Sequence, residues 1–312
     1  MKLKKLHCIG ACMPSCVVLI SQMVVLPAAR AATELPMAFS VGTGQRKDNL
    51  SWSIASNTVN VISELKWENL SISQLQSTGE FNLKNDRWLR VKLGYGVINS
   101  GTNQDSDYSG NNRTQEFSRS NSKAGGDVLE ASIGIGKKLR LRELSAGKTI
   151  YVMPSVGLSI HQQNLIITDG TQAIPPLGPF PGLASSYDSQ WVGPWLGAEV
   201  LLETERGWVM MANAEYHLVG YTAKANWNLR TELAHPVSMR HTAAGEGIVL
   251  SLGASYLVGK NWKINFTLEQ HQWTTRAGRA QVYFADGTVS YGRLNAVNWD
   301  STSYNFGIVR HF

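Results

Sequence analysis

The chain has 312 residues, with 29 Lys and Arg against 23 Asp and Glu and a formal net charge of +6, a length that admits one large domain or two modest ones. Four basic residues (Lys2, Lys4, Lys5, Arg30) and all three cysteines (Cys8, Cys12, Cys16) fall in the first 31 residues, which carry no acid. Residues 32–312 have 25 basic and 23 acidic side chains, +2, and no cysteine, so they advertise no nucleic-acid partner and exclude a structural disulfide.

The amino-terminus reads as a secretion signal. Lys2, Lys4 and Lys5 form a positive start, Cys8 to Leu26 an apolar run, and Ala29-Arg30-Ala31 a small-x-small cleavage site. The run is long enough for a membrane anchor, but Pro14, Pro27 and the site favour removal after Ala31, leaving 281 residues. Ile9-Gly10-Ala11-Cys12 is a poor lipoprotein box, because the apolar run mostly follows Cys12. No later apolar run would make a spanning helix, and mean hydropathy is −0.16. A secreted chain of this kind is a soluble periplasmic protein or an outer-membrane barrel, whose alternating strands hide their hydrophobicity from averages.

Alternation then recurs down the chain. Pro36–Gly44 and Leu65–Leu83 open it. In Trp88–Ile98, Leu89, Val91, Leu93, Tyr95 and Val97 oppose Arg90, Lys92, Gly94 and Gly96. Leu129–Ile135, Ile150–Ile160 and Val192–Leu202 come next, then Trp208–Leu218, Ile248–Val258 and Trp262–Trp273. The last segment, Ser303–Phe312, puts Tyr304, Phe306, Ile308 and Phe312 on one face and stops on an aromatic residue. The count is about ten strands, and helical periodicity is absent.

The connections alternate as well. Residues 84–87, 142–148, 205–207 and 259–261 are short turns built largely on Asn, Asp and Gly. Between them lie long polar stretches, about 46–60, 102–126, 165–189, 224–246 and 277–300, read as outer loops. Trp88, Trp208 and Trp262 each come directly after a short turn and are expected to form an interfacial girdle. Arg310 shares the lipid-facing parity and is therefore expected at the rim, level with that girdle. The expected fold is all-β: a ten-stranded antiparallel transmembrane β-barrel with long extracellular loops and short periplasmic turns. Arg90, Lys92, Glu130, Glu199, Glu215, His217, Glu269 and His271 should point inward and form a network that plugs a narrow lumen.

Short motifs carry a resemblance. Phe39-Ser40-Val41-Gly42-Thr43-Gly44, Ser63-Glu64-Leu65-Lys66-Trp67-Glu68 and Trp88–Ser100 running into Gly101–Tyr108 resemble the omptin-like group of outer-membrane barrels. Asn226-Trp227-Asn228-Leu229-Arg230 and Gly245-Glu246-Gly247 are more similar to the Protochlamydia outer membrane protein family. Omptins are membrane proteases, and the resemblance implies an Asp-x-Asp facing an Asp-x-His across the barrel mouth to activate a water. The first half is present as Asp105-Ser106-Asp107, and a close carboxylate pair can share a proton. The second half is missing: after Tyr221 the chain reads Thr222-Ala223-Lys224-Ala225-Asn226-Trp227-Asn228, and His235 and His241 are the candidates to replace it.

Asp105 and Asp107 also sit in DSDYSGNN, an ordinary polar loop tip, and the proline-rich Ala173–Pro181 reads as a stiff connector or a partner-binding loop. Asp286-Gly287 with Gln281–Phe284 suggests a hairpin above the membrane. The expected role is a non-catalytic surface or structural barrel, with an altered omptin-like endopeptidase and a small-solute pore as alternatives. No cofactor or metal is expected. The expected partners are outer-membrane lipid, lipopolysaccharide and, during insertion, the barrel-assembly machinery.

Overall fold

A computed structural model describes residues 37–144 and 147–312; the expected signal segment and its cleavage site lie outside them. Thirteen strands run in order: β1 (Met37–Ala55), β2 (Ser63–Asn82), β3 (Arg87–Tyr108), β4 (Glu116–Lys137), β5 (Leu139–Leu144), β6 (Lys148–Ile174), β7 (Gly178–Pro179), β8 (Ala184–Thr204), β9 (Trp208–Asn226), β10 (Met239–Leu257), β11 (Trp262–Thr275), β12 (Gly278–Tyr283) and β13 (Val289–His311). Each pairs antiparallel with its neighbours, and β1 meets β13 from Ala38↔His311 to Ala55↔Arg293, which closes the sheet. Strand β5 continues β4 along β6, and β12 continues β11 between β10 and β13, so the ring has ten positions. Closure leaves no edge for lipid to meet.

Glycine makes the seam possible. A Cβ on Gly44 would sit 2.0 Å from the Tyr304 carbonyl oxygen and 2.9 Å from Asn305 Cα, so only a bare Cα lets β1 approach β13 there.

The outer face carries an exposed apolar belt. It runs through Phe39 and Val41, Leu93 to Val97, Leu129 to Ile135, Leu196 to Val200, Met210 to Leu218, Ile248 to Leu252, Ile264 to Leu268 and Tyr304 to Ile308. Two of the girdle residues stand where expected: Trp208 is 43% exposed and Trp262 42%. Arg310 pairs with Trp262 across the ladder, its guanidinium 5.3 Å from that ring and 4.8 Å from Phe312. Trp88 departs from the expectation. It is 2% exposed and lies inside the barrel with Arg90 4.6 Å from its ring, because it shares the inward parity of Arg90 and Lys92.

The long polar stretches are also mostly strand. Strand β6 is 27 residues long and β13 is 23, whereas a tilted strand crosses hydrocarbon in about 9–11. The ladders continue well above the belt, so that among the described residues the connections on that side shrink to 56–62, 109–115, 175–177, 180–183, 227–238, 276–277 and 284–288. The short turns hold, except that strand β5 carries the pairing on to Leu144 within 142–148. The hairpin at Asp286-Gly287 is present, with Gly287 at φ 87°. The proline-rich segment folds down as β7 against Thr171 and Gln172, with the Phe180 amide donating to the Gly170 carbonyl at 2.9 Å.

Candidate functional site: the mouth and the plugged lumen

The barrel interior has three levels. At the mouth, Asp105 and Asp107 lie on the upper part of β3, paired with Leu65 and Ser63 of β2. Burial, then the neighbouring Asp107 carboxylate, pushes the Asp105 carboxyl up to about 7 against the pull of Arg230. Burial also raises Asp107, opposed by a Ser63 hydrogen bond and by Arg230. Nearby, Arg113 donates to Glu64 at 2.7 Å and ties the 109–115 connection to β2.

The other sequence candidates do not join this pair. His235 is exposed on the 227–238 connection, its Nδ1 2.7 Å from Asn226 Oδ1. His241 is buried inside β10, with Nδ1 2.9 Å from the Tyr187 hydroxyl and its ring 4.8 Å from Trp52. Burial alone pushes its pKa down to about 3, so it is a neutral imidazole at ordinary pH. The stretch of β9 after Tyr216 turns Tyr221, Ala223 and Ala225 inward, all buried, and sends Thr222 and Lys224 outward. Asn228 serves as a pin: its Oδ1 accepts from the Ala184 amide at 2.9 Å and its Nδ2 donates to the Gly182 carbonyl at 2.7 Å.

Below the mouth is an aromatic plug that the inward-pointing charges gave no reason to expect. Trp52, Trp67, Trp191, Trp299, Tyr187 and Tyr221 are each 2% exposed or less, and pack with Leu50, Leu65, Leu70 and Leu294 into one apolar cluster. Trp67 stacks on Tyr187 at 5.0 Å and Trp273 on Trp299 at 5.3 Å. The one signal of it in the sequence is the density of Trp at one parity of several strands.

Directly beneath lies an ionic layer that joins the expected inward charges to Arg46 and Asp48, two residues expected at the start of an outer loop. Arg46 holds Asp48 through two hydrogen bonds of 2.6 Å and reaches Glu130 with its other nitrogen. Asp48 also accepts from Trp299 Nε1 at 3.0 Å and Gln163 Nε2 at 3.3 Å, so the buried carboxylate is fully surrounded by donors. His217 bonds Ser159 at 3.1 Å and Glu215 at 3.2 Å. Arg90 bridges Glu80 and Glu199 at 2.8 and 2.9 Å. Arg90, Lys92, Glu130, Glu199, Glu215, His217, Glu269 and His271 all line a chamber of about 420 Å³ that reaches the rim at Ala38 and His311. The inward set is as the parity predicted.

The expected filling of the lumen by these charges is not what forms: they line the chamber, and the aromatic cluster is the plug. An apolar outer belt, a ring closed on itself and a lumen lined by paired charges define a transmembrane β-barrel. The chain belongs to the Protochlamydia outer membrane protein family, whose model matches residues 40–312, and is a bacterial outer-membrane protein. A search of curated proteins by sequence finds no match. In structure the chain is similar to the outer membrane protease OmpT from Escherichia coli, at 14% identity and a TM-score of 0.70, over 89% of this chain and 97% of that one. The translocator domain of the autotransporter NalP from Neisseria meningitidis overlaps it at 12% identity and a TM-score of 0.34, over 88% of each chain. OprG from Pseudomonas aeruginosa does so at 12% and 0.33, over 89% of this chain and 96% of its own. At 14% identity the likeness to OmpT is one of fold alone.

Proposed function

We propose that this protein is a non-catalytic surface barrel that acts through its extracellular face. The observation that carries the reading is at the mouth. Where the omptin resemblance calls for an Asp-x-His opposite Asp105 and Asp107, the inward positions of β9 are Ala223 and Ala225. Neither can take a proton from a water, and His241, whose Nδ1 bonds the Tyr187 hydroxyl, is buried edge-on against Trp52. Transport is disfavoured by the aromatic plug, in which Trp52, Trp67, Trp191 and Trp299 are buried in one apolar cluster.

The outer face supports lipid partners. Lys224 of β9 and Arg240 of β10 are paired and exposed above the apolar belt, a placement suited to the phosphates of lipopolysaccharide. The carboxy-terminal aromatic row, Tyr304, Phe306 and Phe312, suits recognition by the barrel-assembly machinery.

The rival reading, an endopeptidase with an altered dyad, draws on the Asp105 carboxyl, which burial and Asp107 push up to about 7, a range that would suit a general base. Incubation of the refolded barrel with dibasic peptides separates the two. Intact peptides are expected; cleavage that Asp107→Asn abolishes would sink the non-catalytic reading. Planar-bilayer recordings should show no conductance steps, and steady single-channel currents would favour a pore.

A further inference from the structure

We infer that Glu130, His161 and His271 form a binding site for a divalent transition-metal ion of the zinc class, reached from the periplasmic chamber. The three come from β4, β6 and β11, and one donor atom from each lies within 4.8 Å of the other two. An ion about 2.0–2.2 Å from each donor in a tetrahedral shell sets them about 3.3–3.6 Å apart. His161 Nδ1 and Glu130 Oε1 are already 3.4 Å apart. His271 needs to close by roughly 1 Å, within reach of a small side-chain rotation.

Independent of this spacing, the imidazoles are buried with their nitrogens unspent. His161 and His271 are each 7% exposed. Both ring nitrogens of His161 and Nδ1 of His271 have no hydrogen-bond partner among the described residues. Buried nitrogens left so cost free energy that coordination would recover. His217, by contrast, already uses both nitrogens on Ser159 and Glu215 and stays outside the set.

The surroundings suit an ion. The Trp273 ring stands 4.8 Å from His161, and Trp299 stands 5.7 Å from both imidazoles, forming a dry wall on the extracellular side. Arg46, itself gripped by Asp48, donates to Oε1 of Glu130, the oxygen that faces His161, and fixes the carboxylate; that oxygen has lone pairs for Arg46 and an ion together. The charges of Arg46, Asp48 and Glu130 sum to −1, so a dication brings the buried cluster to +1 rather than to a larger excess. Two imidazoles and one carboxylate select zinc-like ions over magnesium or calcium, which prefer oxygen. All three ligands line the 420 Å³ chamber, which supplies both an entry route and room for a water in the fourth position.

Zinc ion alone is the probe, added to the untagged, refolded barrel in detergent. After gel filtration, elemental analysis should find one zinc per barrel. Glu130→Gln and His271→Gln should each weaken zinc binding at least about tenfold in chelator competition. His235→Gln, which alters only the exposed imidazole, should leave it unchanged. The heat-dependent gel shift reports which variants are folded. Should both lumen variants fail to refold, X-ray absorption of the wild-type zinc complex decides, with an imidazole-containing shell expected. Less than about 0.2 zinc per barrel, equal affinity in every variant, or an all-oxygen shell would overturn the assignment.

Discussion

Replacing Asp105 with Asn should make the barrel mouth more stable, and only above a particular pH. The carboxyl is raised from the ordinary 3.8 to about 7, chiefly by burial and then by Asp107. The folded state therefore holds this proton more tightly than the unfolded chain does. Below about pH 4 both states are protonated and the group costs nothing; between about 4 and 7 the penalty grows, and above 7 it is complete. At about 1.4 kcal/mol for each tenfold change, the rise from 3.8 to about 7 sets a ceiling of about 4 kcal/mol. Asn keeps the shape and cannot ionise. Urea unfolding of wild type and Asp105→Asn in micelles, monitored by tryptophan fluorescence, should give matching midpoints near pH 4 and a more stable variant at pH 8. Hydrogen exchange should place the gain on the upper β2–β3 ladder. Other groups titrate in both proteins, so the difference reports Asp105 together with its coupling to Asp107. A difference that stays constant with pH, or a wild type that gains on the variant as pH rises, would refute the reasoning.

Trp299→Ala removes a fully buried ring and the Nε1 bond to Asp48, and should lower stability by about 3–5 kcal/mol in urea unfolding. Gly44→Val forces a side chain into the Tyr304 carbonyl, so the β1–β13 seam should fail to close and the heat-dependent gel shift should be lost. Phe306→Arg places a charge in the middle of the lipid-facing belt and should cost about 2–4 kcal/mol by equilibrium refolding into liposomes, whereas Arg310→Leu at the rim should change little.

The lower half of the barrel is legible in the sequence because lipid imposes a strict period of two on its outer face. Parity alone assigns Arg90, Lys92, Glu199, Glu215, Glu269 and His271 to the lumen. Trp88 is misplaced by the association of tryptophan with turns, although its own parity with Arg90 points inward. The upper strands resemble loops because their outer residues are polar and bulges break the alternation, as between Ile98 and Thr102 in β3. The Asp105–Asp107 pair is visible as a motif, but its burial beside β2 and the charge of Arg230 from a distant connection are not. The Glu130–His161–His271 cluster is invisible for a simpler reason. Its members are bounded by ordinary strand residues, and only the closure of the ring brings them together.

One property of the strands explains both what the sequence reveals and what it hides. Within β13 the inward parity runs through Val297, Trp299, Ser301, Ser303 and Asn305, while Tyr304, Phe306 and Ile308 face out. The backbone keeps its alternation, yet the apolar residues change sides between Trp299 and Tyr304. Strand β1 does the same, with Phe39 and Val41 outside and Leu50, Trp52 and Ile54 inside. In β9 Tyr216 and Leu218 face out, whereas Tyr221, Ala223 and Ala225 face in. Next to lipid, the exterior must be apolar and the lumen can hold charges. Above the lipid both faces would meet water, and a projecting sheet then needs a core of its own, as any soluble barrel does. The aromatic plug is that core, and it sits at the height where Lys224 and Asp188 replace aliphatic residues on the outside. The side switch thus marks the end of the lipid-facing belt on β1, β9 and β13. It also accounts for a negative mean hydropathy in a chain with two apolar surfaces, one turned outward and one turned inward.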